Sequence, residues 1–234
     1  MGSEMCIRDR ISGRGSNMLR IADLAAEHDD IADIVLIAAN RPCEGLSLAS
    51  ERGLNTKLVE RKAFDERRSH EVALADAIDN SGAEWVLLAG YMAILSPWFV
   101  ERFSDRILNI HPSILPDLKG LDTHARALDS GVKKHGATVH LVNAELDGGP
   151  IILQAGLDVK SHEDEATLAA RVLQLEHALY PFVIMALSRG WLKIVKGAPV
   201  WRYGRQDLEE SESEFPDVLA GSAIWPGEDR RDNL

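Results

Sequence analysis

Residues 64–90, "FDERRSHEVALADAIDNSGAEWVLLAG", read as a helix, a stop and a strand. A glycine just past the last helical residue accepts the left-handed conformation that ends a helix, which places the stop at Gly82. The run from 85 to 90 is apolar without alternation, as expected of a strand buried on both faces of a parallel sheet. Helix then buried strand is the repeating half of a βαβ unit, and the neighbouring segments carry the same rhythm.

Toward the amino terminus, "NTKLVE" (55–60) is a strand with alternating faces, "EGLSLASERG" (44–53) a short helix ending at Gly53, and "DIVLIAAN" (33–40) a buried strand. In "ISGRGSNMLRIADLAAEH" (11–28), Gly13, Gly15, Ser16 and Asn17 make a turn that feeds a helix with Met18, Ile21, Ala22 and Ala25 at helical spacing. The fold class that follows is α/β: a Rossmann-like, open, mostly parallel twisted sheet with helices on both faces. The first ten residues, "MGSEMCIRDR", fit this poorly, since an apolar first strand is wanted where Arg8, Asp9 and Arg10 stand. They read as a foreign leader, with a catalytic domain over 11–195 and an extension over 196–234.

Toward the carboxyl terminus, Ser96 and Pro97 suit the cap and first turn of a short helix. "ILNIHPSILPDLKG" (107–120) opens as a strand and is stopped by prolines. "HGATVHLVN" (135–143) and "PIILQAGLDV" (150–159) are strands joined by the turn-rich "AELDGG", a link short enough for antiparallel pairing. Ser161 with Asp164 resembles a capping box for a long helix with the stripe Leu168, Val172, Leu175 and Leu179, which Pro181 is expected to kink. "WLKIVKGAPVWRYG" (191–204) reads as a terminal hairpin, and the acidic, polar residues 209–234 as a loose tail.

With 234 residues, 45% of them hydrophobic, the chain can bury a sizeable core. A formal charge of −11 argues against nonspecific binding to nucleic acid or anionic membrane, so an anionic ligand needs a local site. Two cysteines, Cys6 and Cys43, form no ligand-like pair, and no run is long enough to span a bilayer or serve as a signal peptide. The class these features favour is a cytoplasmic enzyme.

Ligands of a parallel sheet gather at the carboxyl ends of its strands, and three features fall there. The Gly13–Asn17 loop at a helix start suits a phosphate, but Met18 stands where a dinucleotide fingerprint wants its third glycine. Asn109 and His111, two apart on a strand, share a face; an amide donor and an imidazole fit acyl transfer, or else a strand-end cap and a satisfied core histidine. Asp147 either serves that pair or shapes an Asx turn before Gly148. The histidines at 111, 124, 135 and 140 lack metal-ligand spacing, and no metal is expected.

Taken jointly, "ISGRGSN", "LAGYMAILS", "LNIHPSILP", "GLDTHARAL", "HGATVHLV", "ELDGGPII" and "RVLQLEHALYP" resemble the glycinamide ribonucleotide formyltransferase family in order and spacing. "NIHPSILP" alone indicates the wider superfamily, shared with methionyl-tRNA formyltransferase and formyltetrahydrofolate deformylase; "GSN" selects the glycinamide ribonucleotide branch. The resemblance implies metal-free transfer of a formyl group from 10-formyltetrahydrofolate, a co-substrate, to the amine of glycinamide ribonucleotide in purine biosynthesis. It implies that Asn109 stabilises the tetrahedral oxyanion, His111 shuttles protons, and Asp147 fixes the imidazole or an ordered water. It further implies that Gly15, Ser16 and Asn17 hold the substrate phosphate and Glu176 the ribose hydroxyls. The folate is expected along Met92, Ile94 and Leu95, under Ala144, Glu145, Leu146 and Asp147, with Arg67 near its glutamate tail. Ala93 stands where many relatives have arginine, which implies weaker folate binding with the chemistry retained. The rival readings are another folate formyl-group enzyme and a non-catalytic nucleotide- or folate-binding module.

Overall fold

A computed structural model describes residues 4–8, 15–28, 30–90, 93–210 and 215–226. The chain divides into two compact units, Met1–Asn109 and Ile110–Leu234.

The first unit is parallel α/β. Its elements are β1 (Glu4–Arg8), α1 (Ser16–Glu27), β2 (Asp33–Ala39), α2 (Glu44–Glu51), β3 (Thr56–Leu58), α3 (Arg67–Ser81), β4 (Trp85–Leu88), α4 (Pro97–Arg102) and the start of β5 (Ile107–His111). The strand order is β5-β4-β1-β2-β3, all parallel. The backbone of Glu4–Arg8, inside the segment read as a leader, thus supplies the strand between β2 and β4. Gly82 ends α3 with φ 79°, as its position required. Strand β4 stops at Leu88, short of the expected Gly90, because Gly90 takes φ 85° and turns the chain out of the extended region. Leu74 and Ile78 of α3 and Phe99 of α4 are fully buried, so each helix lays its apolar stripe into the core.

The second unit is antiparallel. It holds the end of β5, then α5 (Thr123–Ser130), β6 (Lys134–Leu141), β7 (Ile151–Asp158), α6 (Glu165–Ser188), β8 (Leu192–Val195), β9 (Ala198–Trp201), α7 (Arg205–Glu210) and β10 (Ala223–Ile224). Strands β6 and β7 pair antiparallel as expected, and β8 with β9 forms the terminal hairpin. Leu168, Val172 and Leu179 of α6 are fully buried, and the helix runs unbroken through Pro181.

Two expectations are corrected here. Helix α6 is capped by Asp164, whose carboxylate accepts the Thr167 N–H at 2.7 Å, and not by Ser161. His162 takes φ 61°, and Glu163 binds Arg171 at 2.7 Å, so the helix begins three residues later than a cap at Ser161 would place it. The tail over 215–226 is also not loose. Strand β10 pairs antiparallel with β7, Ile224 opposite Gln154, while Phe215 and Trp225 are buried against Phe182 and Trp201. Its acidic composition concealed four large apolar anchors, Phe215, Leu219, Ile224 and Trp225.

Candidate active site

His111 closes β5, and its ring is held from two sides. Nε2 lies 3.1 Å from the Leu118 carbonyl oxygen, while Nδ1 lies 3.4 Å from Asp147 Oδ2. A carbonyl and a carboxylate can only accept, so only the doubly protonated ring donates to both. Asp147 reaches the histidine from the turn between β6 and β7 at φ 47°. Its Oδ2 also accepts the Gly120 N–H at 2.8 Å, and its Oδ1 faces His140 Nε2 across 3.8 Å. The Asx-turn alternative is met by a different residue: Asn143 Oδ1 accepts the Glu145 N–H at 3.0 Å. The turn closes tightly because a Cβ on Gly149 would come 1.8 Å from the Leu141 carbonyl oxygen, which admits glycine alone.

The turn that leads to the Leu118 carbonyl is held by a polar network. Thr138 Oγ1 donates to the Ser113 carbonyl (2.7 Å) and accepts the Leu115 N–H (3.1 Å). Gln154 Nε2 donates to Thr138 Oγ1 (2.7 Å) and to the Leu115 carbonyl (3.0 Å), and Ser113 Oγ donates to the Asp117 carbonyl at 2.7 Å. Strands β6 and β7 therefore clamp the turn from Ser113 to Asp117, which contains a cis Leu115–Pro116 bond. Ser113, Leu115, Thr138 and Gln154 are buried and their polar groups bonded, which fixes this turn. Across the front, Lys119 Nζ donates to Glu145 at 2.7 Å, an exposed pair joining the two loops that meet at Asp147.

Two further histidines of this unit, His135 and His140, are buried, and His124 is half-buried. Burial lowers His140 to about 4, and Nδ1 faces the Leu141 carbonyl at 2.8 Å. Burial likewise lowers His135 to about 4, and lowers His124, whose Nδ1 is 3.1 Å from His135 Nε2. A hydrogen bond between two imidazoles needs one bare nitrogen, which matches rings that are neutral near pH 7.

In the first unit, Gly15 is the N-cap of α1 with φ 65°, and no side chain caps the helix. The N–H groups at the start of a twelve-residue helix suit an anion, and Ser16 and Asn17 stand in that first turn, Asn17 buried. Asn109 is half-buried on β5 opposite Leu88. Of the expected folate contacts, Ile94 is 63% exposed while Leu95 is buried in the core and Ala93 is half-buried; Met92 lies outside the described residues. Arg67 donates from Nε to Glu71 at 3.0 Å and from Nη2 to the Ile94 carbonyl. In the second unit Ala144 and Glu145 are exposed, Leu146 is 49% exposed, and Glu176 is buried on α6.

The formyl transferase family model matches residues 9–184. The chain belongs to the formyl transferase family. The phosphoribosylglycinamide formyltransferase of Escherichia coli K12 is 41% identical over 197 residues, spanning 84% of this chain and 92% of that protein. Among solved structures, glycinamide ribonucleotide transformylase 1 from Symbiobacterium toebii superposes with TM-score 0.79 at 35% identity, covering 86% of this chain and 95% of that one. Phosphoribosylglycinamide formyltransferase from Brucella melitensis gives 0.74 at 41% identity, covering 85% and 100%.

Within this formyl transferase fold, sequence reasoning picked out His111 and Asp147, which the structure brings together. It missed Thr138 and Gln154, which look like ordinary polar positions on strands, and Gly120, whose N–H binds Asp147. The available signal was a Thr and a Gln, each an amide or hydroxyl on an otherwise apolar strand, where burial demands a partner. Among the described residues, no three histidine, cysteine, aspartate or glutamate side chains converge as metal ligands do, and no helix is long and apolar enough to cross a membrane.

Proposed function

We propose that this protein transfers the formyl group of 10-formyltetrahydrofolate to the amine of glycinamide ribonucleotide, giving formylglycinamide ribonucleotide and tetrahydrofolate. The observation that carries the reading is the likeness, nearly end to end, to phosphoribosylglycinamide formyltransferase. The residues supply a matching mechanism. The amine attacks the formyl carbon, a C–N bond forms, and the carbonyl oxygen takes negative charge that the Asn109 amide stabilises. The intermediate collapses by breaking the bond to N10, which leaves with a proton.

His111 moves that proton from the attacking nitrogen to N10. Asp147, on the Nδ1 side, orients the ring and balances its charge when both nitrogens are protonated, leaving Nε2 as the working nitrogen. At rest Nε2 is turned to the Leu118 carbonyl, a neutral acceptor that a reacting nitrogen can displace. The phosphate sits on the first-turn N–H groups after Gly15, with Ser16 and Asn17; Glu176 accepts from the ribose hydroxyls. The folate contacts of this reading are Ala93, Ile94 and Leu95, with Arg67 near the tail, in the first unit, and Ala144, Glu145 and Leu146 in the second. Ile94 and Leu146 fit this role because each presents a large apolar side chain that a partly apolar ligand can cover.

The test is direct. Purified protein with both substrates should yield formylglycinamide ribonucleotide by mass spectrometry, faster than it hydrolyses the donor to formate and faster than it formylates methionyl-tRNA. Donor hydrolysis that glycinamide ribonucleotide does not divert would replace the proposal with a deformylase.

A further inference from the structure

The carboxylate of Glu71 is buried, yet it stands on a helix whose other charges are solvated. Its oxygens are fully engaged. Oε1 accepts from Arg67 Nε and from the Ser96 N–H, both at 3.0 Å, and Oε2 accepts from the Ser96 hydroxyl. Ser96 Oγ in turn accepts the Phe99 N–H at 3.3 Å, capping α4. Arg67, one turn before Glu71, donates its remaining reach to the Ile94 carbonyl. One i,i+4 pair on α3 therefore grips the segment 93–96 at both ends, at the Ile94 carbonyl and at Ser96.

That grip is unusual in what it leaves out. A buried carboxylate is costly unless paired, and here burial would raise the carboxyl, while the bonds from Ser96 and Arg67 outweigh it and hold it below the usual range. The segment so fixed has its Ile94 side chain 63% exposed. A rigid backbone presenting an apolar side chain to solvent is a preformed wall for a flat, partly apolar ligand.

We infer that Glu71 is a positioning residue for the formyl donor: through Arg67 and Ser96 it pre-sets the Ala93–Ser96 segment against which the folate binds. The inference rests on the reading of residues 93–95 as the donor's wall. It assigns Glu71 no contact with either substrate and no part in proton transfer. In Glu71→Gln the amide nitrogen must face one of the donors now bound by a carboxylate oxygen, so the segment loses one anchor while the volume is kept.

The test separates donor from acceptor binding in the full-length protein. In Glu71→Gln and Ser96→Ala, KM for 10-formyltetrahydrofolate should rise about tenfold, as loss of one charge-assisted hydrogen bond implies, with KM for glycinamide ribonucleotide and kcat within about twofold. Ser96→Thr, which keeps the hydroxyl, should restore the donor KM. Direct titration with 5-formyltetrahydrofolate, which carries the same pterin and tail but does not transfer its formyl group, should show the same weakening without turnover. An unchanged donor KM in folded Ser96→Ala, or an equal rise in both KM values, would overturn the inference while leaving the proposed reaction intact. Wild-type protein that bound no folate would overturn both.

Discussion

Asp147 Oδ2 is shared between the His111 ring, 3.4 Å from its Nδ1, and the Gly120 backbone N–H at 2.8 Å. One oxygen thus couples the orientation of the imidazole to the position of the loop before α5. Replacing Asp147 by Asn removes the charge opposite the ring while keeping an acceptor for Gly120. We expect kcat to fall about a hundredfold with KM values little changed, because general acid–base catalysis by a mis-set imidazole loses about that factor. Combining it with His111→Ala should add little beyond His111→Ala alone, since the two act as a unit. Additive losses in steady-state kinetics would show that the two residues work independently.

Thr138→Val keeps shape and removes the hydroxyl that links Ser113, Leu115 and Gln154. At least two buried groups lose their partner, so stability should drop by about 2–4 kcal/mol in urea unfolding. The turn that presents the Leu118 carbonyl should loosen as well, and kcat should fall even where the variant is fully folded. Loss of stability with kcat unchanged would confine Thr138 to a packing role.

Gly15 takes a left-handed φ of 65° at the start of α1, where the proposed phosphate site lies. Gly15→Val should cost about 1–2 kcal/mol from backbone strain alone. Its KM for glycinamide ribonucleotide should rise steeply, with kcat less affected and KM for the folate untouched. Should the folate KM rise instead, the loop serves the other substrate.

Buried histidines make stability depend on pH in a definite direction. Burial lowers His135 and His140 to about 4 in the folded state, so between about 6.5 and 4 the unfolded chain binds more protons than the folded one. Their contribution is complete above about 6.5 and is lost as the pH falls toward 4. The melting temperature should therefore decline across that window, and His135→Asn should decline less steeply. A flat profile in the parent protein would contradict neutral, buried rings.

How much of this was legible depended on where each interaction is decided. The stop at Gly82 and the cap at Ser96 are settled within one turn of backbone, and both stand where the sequence puts them. The start of α6 is set by Asp164 capping Thr167, with Arg171 holding Glu163 just outside it, and a reading of adjacent residues put the cap at Ser161 instead. The tail was judged on its charge, whereas its order comes from Trp225 and Phe215 meeting Phe182 and Trp201. At the site, side chains with intrinsic chemistry could be named in advance. Supports such as Thr138, Gln154 and Glu71 are signalled at most as polar residues on apolar faces, and which groups they hold is decided only when the fold sets them side by side.

The pairing of Ile224 with Gln154 has a consequence for the order of events during synthesis. The parallel unit is wholly encoded before residue 110 and can begin to compact while the ribosome is still translating, as domains near the amino terminus generally do. Gln154, whose side chain secures the turn beyond His111, pairs first with Thr138 on β6 and gains its second neighbouring strand only when the residues of β10 leave the exit tunnel. The outer edge of β7 is then covered well after the parallel unit has left the ribosome.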